Sequence, residues 1–178
     1  VTHTPDVLND EVADTAIMLW LATYRNLIQA DQWVRTGNWE KEGAFPLSKT
    51  VQKQKVGILG LGRIGETIAK RVKAFDAEVH YHSRSKKNNN YQFHASPKEL
   101  AKNVDVLFII TPGGNETKHL VDASVLEALG TSGTLINISR GSVVDEKALI
   151  KALQTGTIGA AGLDVFDAEP VVPTELKN

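Results

Sequence analysis

Three glycines in the run GLGRIG, Gly60, Gly62 and Gly65, carry the strongest chemical signal in this sequence. An apolar segment at 55–59 precedes them and apolar residues at helical spacing follow at 66–75, so the glycines lie in a strand-to-helix turn. In that setting the first glycine permits a tight turn, the second lets the backbone approach a pyrophosphate, and the third lets the helix pack closely on the strand. The pattern predicts a dinucleotide-binding site.

The start of the following helix belongs to the same predicted site. Arg63 and Ile64 stand there, where backbone N–H groups and the positive end of the helix dipole would face the phosphates. Both residues are therefore included among the predicted cofactor-binding residues.

The residues after the second predicted strand, 78–82, indicate which dinucleotide is bound. NAD enzymes of this kind place an acid roughly 20 residues beyond the glycine turn, where it accepts hydrogen bonds from the ribose hydroxyls. That position holds Ser83, and no acid occurs between it and Glu99. Ser83 can donate to a 2′-phosphate and Arg84 can bind it with a planar guanidinium. The sequence predicts NADP, with NAD as the second choice; a solvated basic loop is the alternative explanation for the neighbouring lysines.

Charged residues also follow two later predicted strands. Arg140, just after the strand at 134–138, could bind a carboxylate through two hydrogen bonds or stabilise charge on a carbonyl oxygen. A structural ion pair is the alternative. After the last strand, Asp164 could accept a hydrogen bond from a cofactor amide, and Glu169 could orient a histidine and raise its pKa. Simple solvation stays open as the alternative for Glu169.

Histidines give weaker evidence for a site. His80 and His82 share one face of a predicted strand, but two ligands without a third are a poor basis for a metal. No metal site is predicted. His119 is placed in a helix formed by the segment NETKHLV.

The elements that would position these residues alternate along the chain. Asn9 or Asp10 caps a long helix running to about Arg25, and a second helix covers about 27–36. A polar loop leads to the first strand. Strands are then predicted at 55–59, 78–82, 104–110, 134–138 and 159–163, with helices at 63–75, 97–102, 123–128 and 146–155. This alternation predicts an α/β fold with a doubly wound parallel sheet of the Rossmann type, preceded by a long helix.

Size and composition limit the number of domains and the classes of partner that the sequence predicts. The 178 residues fit one dinucleotide-binding domain, with a lead-in of helices and loop at 1–50 and a Rossmann core at 51–170. Lys+Arg 20 against Asp+Glu 21 gives a net charge of -1, so no nucleic-acid partner is predicted. The most apolar stretch, 16–22, is far shorter than the about 20 residues that cross a bilayer, so no membrane partner is predicted either. The lack of cysteine favours a cytoplasmic protein.

Four motifs together resemble a known family: GILGLGRIG, ITPGGNETKHLV, LINISRGSVVDEKAL and GLDVFDAEP. They are similar to the cofactor-binding domain of the D-2-hydroxyacid dehydrogenases, and most similar to the glyoxylate/hydroxypyruvate reductases within that family. The resemblance covers nearly the whole chain, including the upstream segment WVRTGNW at 33–39. It implies hydride transfer between a nicotinamide cofactor and a 2-oxo acid, and a homodimer formed through the segment before the first strand.

The resemblance also implies residue roles. Arg140 matches the family's catalytic and substrate-binding arginine, Glu169 the glutamate that pairs with the catalytic histidine, and Asp164 the aspartate beside the nicotinamide carboxamide. The remaining cofactor-binding residues of these motifs are Thr111 and Pro112, beside the nicotinamide ribose, and Ser139.

The chain also departs from the family pattern. The catalytic histidine lies in a later proline-histidine segment and the substrate domain in flanking segments, so these 178 residues are expected to bind a dinucleotide without turning over 2-oxo acids. Lys53 stands where the family commonly has a glycine. Two alternatives of other classes stay open: a nucleotide-sensing module of the corepressor type, and a structural domain with a vestigial glycine turn.

Overall fold

A six-stranded sheet organises residues 7–177, the part of the chain that the computed structural model describes. The strands are β1 (Lys55–Leu59), β2 (Glu78–His82), β3 (Gln92–Phe93), β4 (Val106–Ile109), β5 (Thr134–Asn137) and β6 (Ala160–Leu163). They lie in the order β3-β2-β1-β4-β5-β6, and each neighbouring pair is parallel. This arrangement confirms the predicted doubly wound Rossmann sheet. Residues 1–6 and Asn178 of the predicted domain lie outside the described residues.

Helices cover both faces of this sheet. They are α1 (Asn9–Tyr24), α2 (Leu27–Arg35), α3 (Asn38–Glu42), α4 (Arg63–Val72), α5 (Pro97–Lys102), α6 (Ala123–Leu129) and α7 (Glu146–Gln154). Apolar residues of α1 and α4 pack on one face, and those of α5, α6 and α7 pack on the other. The sheet is therefore buried on both sides, which is why β4 is apolar along its whole length.

Trp20 joins the lead-in helix α1 to the sheet. Its indole is fully buried and packs edge-to-face against Tyr24, Phe75 and Phe108. The long helix is as predicted, but the predicted cap is wrong, because the N-cap position is Leu8. The Asp10 carboxylate instead lies 2.9 Å from the guanidinium of Arg71 on α4.

Four local predictions differ from the structure. The five-residue helix α3 and the two-residue strand β3 lie in segments predicted as loops, because neither is long enough to show a periodicity. Helix α4 ends at Val72 and continues only as a 3₁₀ turn, 73–75. The helix predicted around His119 is a 3₁₀ turn at Asn115–Thr117, after which the backbone becomes extended and His119 takes a φ of 52°.

Lys53 has a backbone conformation that suits glycine better than lysine. Its φ is 59°, in the left-handed region, and its N–H donates to the Phe75 carbonyl at 2.9 Å just before β1. This geometry explains why a glycine is common here in the family that the chain resembles.

Within residues 7–177, no helix combines the length and the apolar character needed to cross a membrane.

Candidate active site

The glycine turn joins β1 to α4 through close backbone packing. Gly60 has a φ of 106°, and a Cβ atom there would lie 2.9 Å from the backbone nitrogen of Thr111. A Cβ at Gly65 would lie 2.6 Å from the Gly60 carbonyl oxygen. Both positions therefore require glycine for the packing of the protein itself.

Gly62 differs from its two neighbouring glycines. No heavy atom lies within 4 Å of where its Cβ would be, so its backbone borders open space. Gly62 is the N-cap of α4 and has no side chain to bond the first-turn N–H groups, which belong to a helix beginning with Arg63 and Ile64. This open, positively polarised helix end fits a pyrophosphate.

The turn after β4 lies between the turns after β1 and β5. The Thr111 hydroxyl donates to the Leu59 carbonyl at 3.0 Å, and the Ser139 hydroxyl donates to the Thr111 carbonyl. Pro112 follows on the exposed side. These bonds bring three predicted cofactor-binding residues to one edge of the sheet, beside the glycine turn.

Arg140 lies in a loop that we call the arginine loop, residues 138–143, after β5. The side chain of Asn137 orders its start: Oδ1 accepts the Ser139 N–H at 3.1 Å, and Nδ2 donates to the Arg140 carbonyl at 3.2 Å. Asn137 is 1% exposed. The backbone of the arginine is thus fixed by a buried amide.

The Arg140 side chain remains exposed at the end of this ordered backbone. Its Nη1 donates to the Ser139 carbonyl at 2.6 Å, and a Cβ at Gly113 would lie 2.8 Å from Arg140 Cγ. Among the ion pairs of residues 7–177, none includes Arg140. The structural ion pair considered as the alternative is therefore not formed, and the guanidinium is in position for an anionic ligand.

The loop after β6 packs directly on the arginine loop. A Cβ at Gly141 would overlap the backbone of Phe166 and Asp167, so only glycine permits this approach. The Asp164 N–H donates to the Asn137 carbonyl at 3.0 Å, while the Asp164 side chain is exposed. Both charged residues, Arg140 and Asp164, are consequently held at the same sheet edge by main-chain contacts.

Glu169 does more than contact solvent. Its Oε1 accepts the Phe166 N–H at 3.0 Å and so stabilises the turn of its own loop. The adjacent Asp167 N–H donates to Glu146 Oε2 on α7 at 3.1 Å. The carboxylate of Glu169 is therefore positioned on a loop that contacts Gly141 of the arginine loop.

A second loop carries the residues predicted to select the coenzyme. We call it the coenzyme loop, residues 83–91, between β2 and β3. Its start lies beside the glycine turn, because the Gly60 N–H donates to the His82 carbonyl at 2.9 Å. Ser83 is half-buried with its hydroxyl donating to the Ser85 carbonyl at 2.8 Å, and Arg84 is exposed. This loop contributes to the same edge of the sheet but lies apart from the arginine loop in the strand order.

Three residues that shape the site were not among those predicted from the sequence: Asn137, Gly113 and Gly141. Asparagine often bonds the backbone two residues later, and Asn137 does so at the end of a strand. That position could have identified it. The two glycines give no comparable signal, because their role depends on a long-range contact.

The histidines of β2 do not form a metal site. His80 Nδ1 lies 2.9 Å from Nε2 of His94, and His82 Nδ1 lies 2.9 Å from the His94 carbonyl oxygen. Burial lowers the pKa of both His80 and His94. Within residues 7–177, no three His, Cys, Asp or Glu side chains are grouped so as to bind a metal ion.

A Rossmann sheet with an open glycine turn, and with an arginine presented at the same edge, defines a dinucleotide-binding domain of the dehydrogenase class. The chain belongs to the D-isomer specific 2-hydroxyacid dehydrogenases, whose NAD binding domain model matches residues 17–178.

Curated relatives and a solved structure show which members of this family the chain is similar to. The chain is 51% identical over 177 residues to a hydroxyphenylpyruvate reductase of Plectranthus scutellarioides, and 50% identical over 177 residues to a glyoxylate/hydroxypyruvate reductase of Arabidopsis thaliana. Each match covers 99% of this chain and 56% of the relative, so the chain spans about half the length of these proteins. An NADPH-dependent glyoxylate/hydroxypyruvate reductase from Sinorhizobium meliloti, solved with NADP and malonate, superimposes with a TM-score of 0.96 at 52% identity. That alignment covers 100% of this chain and 56% of the solved chain.

Proposed function

We propose that this chain is the coenzyme-binding domain of a reductase that converts glyoxylate or hydroxypyruvate to the D-2-hydroxy acid with NADPH. The observation that carries the proposal is a pair of hydrogen bonds, from Thr111 to Leu59 and from Ser139 to Thr111. Together they place the arginine loop beside the glycine turn. The names of the relatives and of the Sinorhizobium meliloti structure support the same reaction.

The residues of this chain supply binding and charge stabilisation. A bound nicotinamide coenzyme supplies the hydride. The guanidinium of Arg140 holds the substrate carboxylate with two parallel hydrogen bonds and stabilises the negative charge that develops on the carbonyl oxygen. Asp164 would accept a hydrogen bond from the carboxamide of the nicotinamide. Thr111 and Pro112 would lie beside the ribose that carries the nicotinamide.

Proton delivery requires a histidine paired with Glu169. Three of the described histidines, His80, His82 and His94, lie together at the β2–β3 edge, and His119 lies in a turn. The resemblance to the 2-hydroxyacid dehydrogenases, and not these positions, implies a catalytic histidine that the Glu169 carboxylate would orient and whose pKa it would raise.

The preference for NADPH rests on Ser83 and Arg84. Their place at the end of β2, beside the glycine turn, is where the adenosine ribose of a bound dinucleotide lies in this fold. A serine hydroxyl and a guanidinium attract a 2′-phosphate that a carboxylate would repel.

The proposal includes a homodimer formed through the lead-in helices. Of the apolar residues of α1, Trp20 is buried against the sheet and Val12, Ile17, Leu19 and Leu21 pack partly on the same core. Other large apolar side chains of this segment are exposed: Leu8, Met18, Leu27, Ile28, Val34 and Trp39. A second copy would bury them. Sedimentation of the protein at micromolar concentration should show a dimer; a species of only monomer mass would contradict this.

The reaction itself is tested with the protein expressed from its complete reading frame. Steady-state rates with glyoxylate and hydroxypyruvate, each with NADPH or NADH, should show turnover that is faster with NADPH. Stoichiometric coenzyme binding without turnover would favour the sensing module instead, and failure to bind either dinucleotide would favour a structural domain. A cytoplasmic location, favoured by the absence of cysteine, completes the proposal.

A further inference from the structure

Tyr81 has a buried ring and a hydroxyl that reaches the coenzyme loop. The residue lies in β2, is fully buried, and packs against Phe93 of β3 with the ring centroids 5.4 Å apart. Its hydroxyl accepts the Lys87 N–H at 2.8 Å and donates to the Lys87 carbonyl at 3.3 Å. One side chain of the core therefore bonds both polar groups of a single peptide residue in the loop.

The other bonds of this loop are local. Ser83 bonds the carbonyl of Ser85, and the Asn89 side chain accepts the N–H of Tyr91 at 2.9 Å. Within the described part of the chain, the hydrogen bonds that join 84–88 to the sheet core are those of the Tyr81 hydroxyl. The exposed middle of the loop thus depends on this one group for its position.

We infer that Tyr81 is a positioning residue for coenzyme selection. By holding Lys87, it fixes the backbone that presents Ser83 and Arg84, so that both meet the 2′-phosphate without first having to be ordered. Ordering a free residue costs backbone conformational entropy, and this cost opposes binding. The inference rests on the proposed preference for NADPH and adds a residue that would never touch the coenzyme.

The variant Tyr81→Phe tests this inference because it keeps the ring and removes only the hydroxyl. Two neutral hydrogen bonds are lost, so we expect the Kd for NADPH to rise about 5- to 10-fold. The Kd for NADH should change by less than about 2-fold, because NADH has no 2′-phosphate for the loop to bind. Both constants are measured by fluorescence titration of the protein made from its complete reading frame.

Tyr24→Phe is the matched control. Tyr24 is also buried, at 3% exposure, and its hydroxyl donates to Gln54 Oε1 at 3.3 Å. Gln54 lies just before β1, at the opposite end of the strand from the glycine turn. A thermal shift of similar size is expected for the two variants, but Tyr24→Phe should leave the ratio of the two Kd values unchanged.

A double-mutant cycle separates positioning from general loosening. In a Ser83→Ala, Arg84→Ala background, adding Tyr81→Phe should leave the ratio of NADPH to NADH affinity unchanged, because the groups it positions are gone. If the wild type prefers NADPH but Tyr81→Phe leaves the ratio of the two affinities unchanged, whether both fall equally or neither falls, the inference is overturned. A wild type without that preference would overturn the proposed coenzyme and this inference together.

Discussion

The arginine loop and the coenzyme loop leave the same edge of one sheet, yet they are stabilised in different ways. In the arginine loop, a buried amide and a glycine-to-backbone contact fix the main chain on both sides of Arg140. In the coenzyme loop, residues 84–88 are exposed, and among the described residues the hydrogen bonds that join them to the core are those of the buried Tyr81 hydroxyl. The backbone that carries Arg140 is thus held by packing within the domain, whereas the backbone that carries Arg84 lies in an exposed loop.

This difference implies that substitutions in the two loops have different consequences. A change in the arginine loop disturbs backbone that other loops pack against, so it affects stability as well as chemistry. A change at the half-buried Ser83 or the exposed Arg84 alters a side chain at the surface and leaves the packed core intact. Four experiments measure how far this contrast extends.

Arg140→Ala should have the largest effect. Turnover of a 2-oxo acid should fall by about 10²–10³-fold or more, because in its proposed role the guanidinium stabilises charge that develops in the transition state. The Kd for coenzyme should change little, since the proposed role of Arg140 is to bind the substrate. Arg140→Lys is the control that keeps the charge and loses the planar fork. Loss of coenzyme binding with normal turnover per bound coenzyme would refute the role given to Arg140.

Gly141→Ala and Gly62→Ala form a pair with opposite outcomes. A Cβ at Gly141 would overlap the backbone of Phe166, so the free energy of unfolding should fall by about 3 kcal/mol, at the upper end for overpacking. A Cβ at Gly62 meets nothing within 4 Å, so stability should be unchanged while coenzyme affinity falls about tenfold or more. Urea denaturation and coenzyme titration measure the two effects. Equal loss of stability in both variants would contradict the close approach at Gly141.

Ser83→Asp combined with Arg84→Ala should reverse coenzyme preference without affecting the fold. Removing two polar contacts to the 2′-phosphate should shift the ratio of NADPH to NADH affinity by about 100-fold, with a new carboxylate added for the ribose hydroxyls. The urea midpoint should stay at the wild-type value. Lys86→Ala is the control for a general basic loop: a shift of the same size there would mean that charge alone selects the coenzyme.

The smallest effect is expected from the buried histidine pair of the β2–β3 edge, His80 and His94. Burial lowers the pKa of His80 and of His94 in the folded state. In the unfolded chain these histidines have a pKa of about 6.5, so below that pH the unfolded state binds more protons than the folded state. The free energy of unfolding therefore falls as the pH drops below that value. The charged or titratable groups facing this pair are Glu78 and Glu99, which raise the pKa values, and Lys55 and His82, which lower them.

Urea midpoints at pH 7.5 and pH 5.5 measure this dependence. The double variant His80→Gln, His94→Gln should lose less stability on acidification than the wild type, whereas the exposed His119→Gln should match the wild type. Amide hydrogen exchange at the lower pH should then increase in the coenzyme loop before it increases in the arginine loop. Equal pH dependence in all three proteins would rule out the buried pair as its source.

The longer strands and helices could be predicted from the sequence, whereas short elements and those that depend on tertiary contacts could not. Strand–helix alternation predicted the sheet because each element was long enough to show its period. The two residues of β3 are too few to show a hydrophobic periodicity, and they form a strand only by pairing with β2. The prediction for His119 was wrong because the backbone becomes extended at Lys118, after a 3₁₀ turn of only three residues.

The candidate site shows the same division. The glycine turn and the placement of Arg140 after a strand are local patterns, and the structure brings both to one edge of the sheet. Gly141 acts through Phe166, far along the chain, so no local spacing could reveal it. Tyr81 has a sequence position typical of any buried strand residue, and only its bonds to Lys87 distinguish it.

The parallel pairing of β2 with β3 makes the coenzyme loop the crossover between two strands, although only residues 83–91 connect them. Parallel connections usually need about a dozen residues or more, so this one has little slack. Deletion of a residue would shorten the connection further, and a slip of β3 by one position would turn Phe93 away from Tyr81. For protein engineering, changes of coenzyme choice are therefore best made by substitution within this loop, because shortening it would put the edge strand of the sheet at risk.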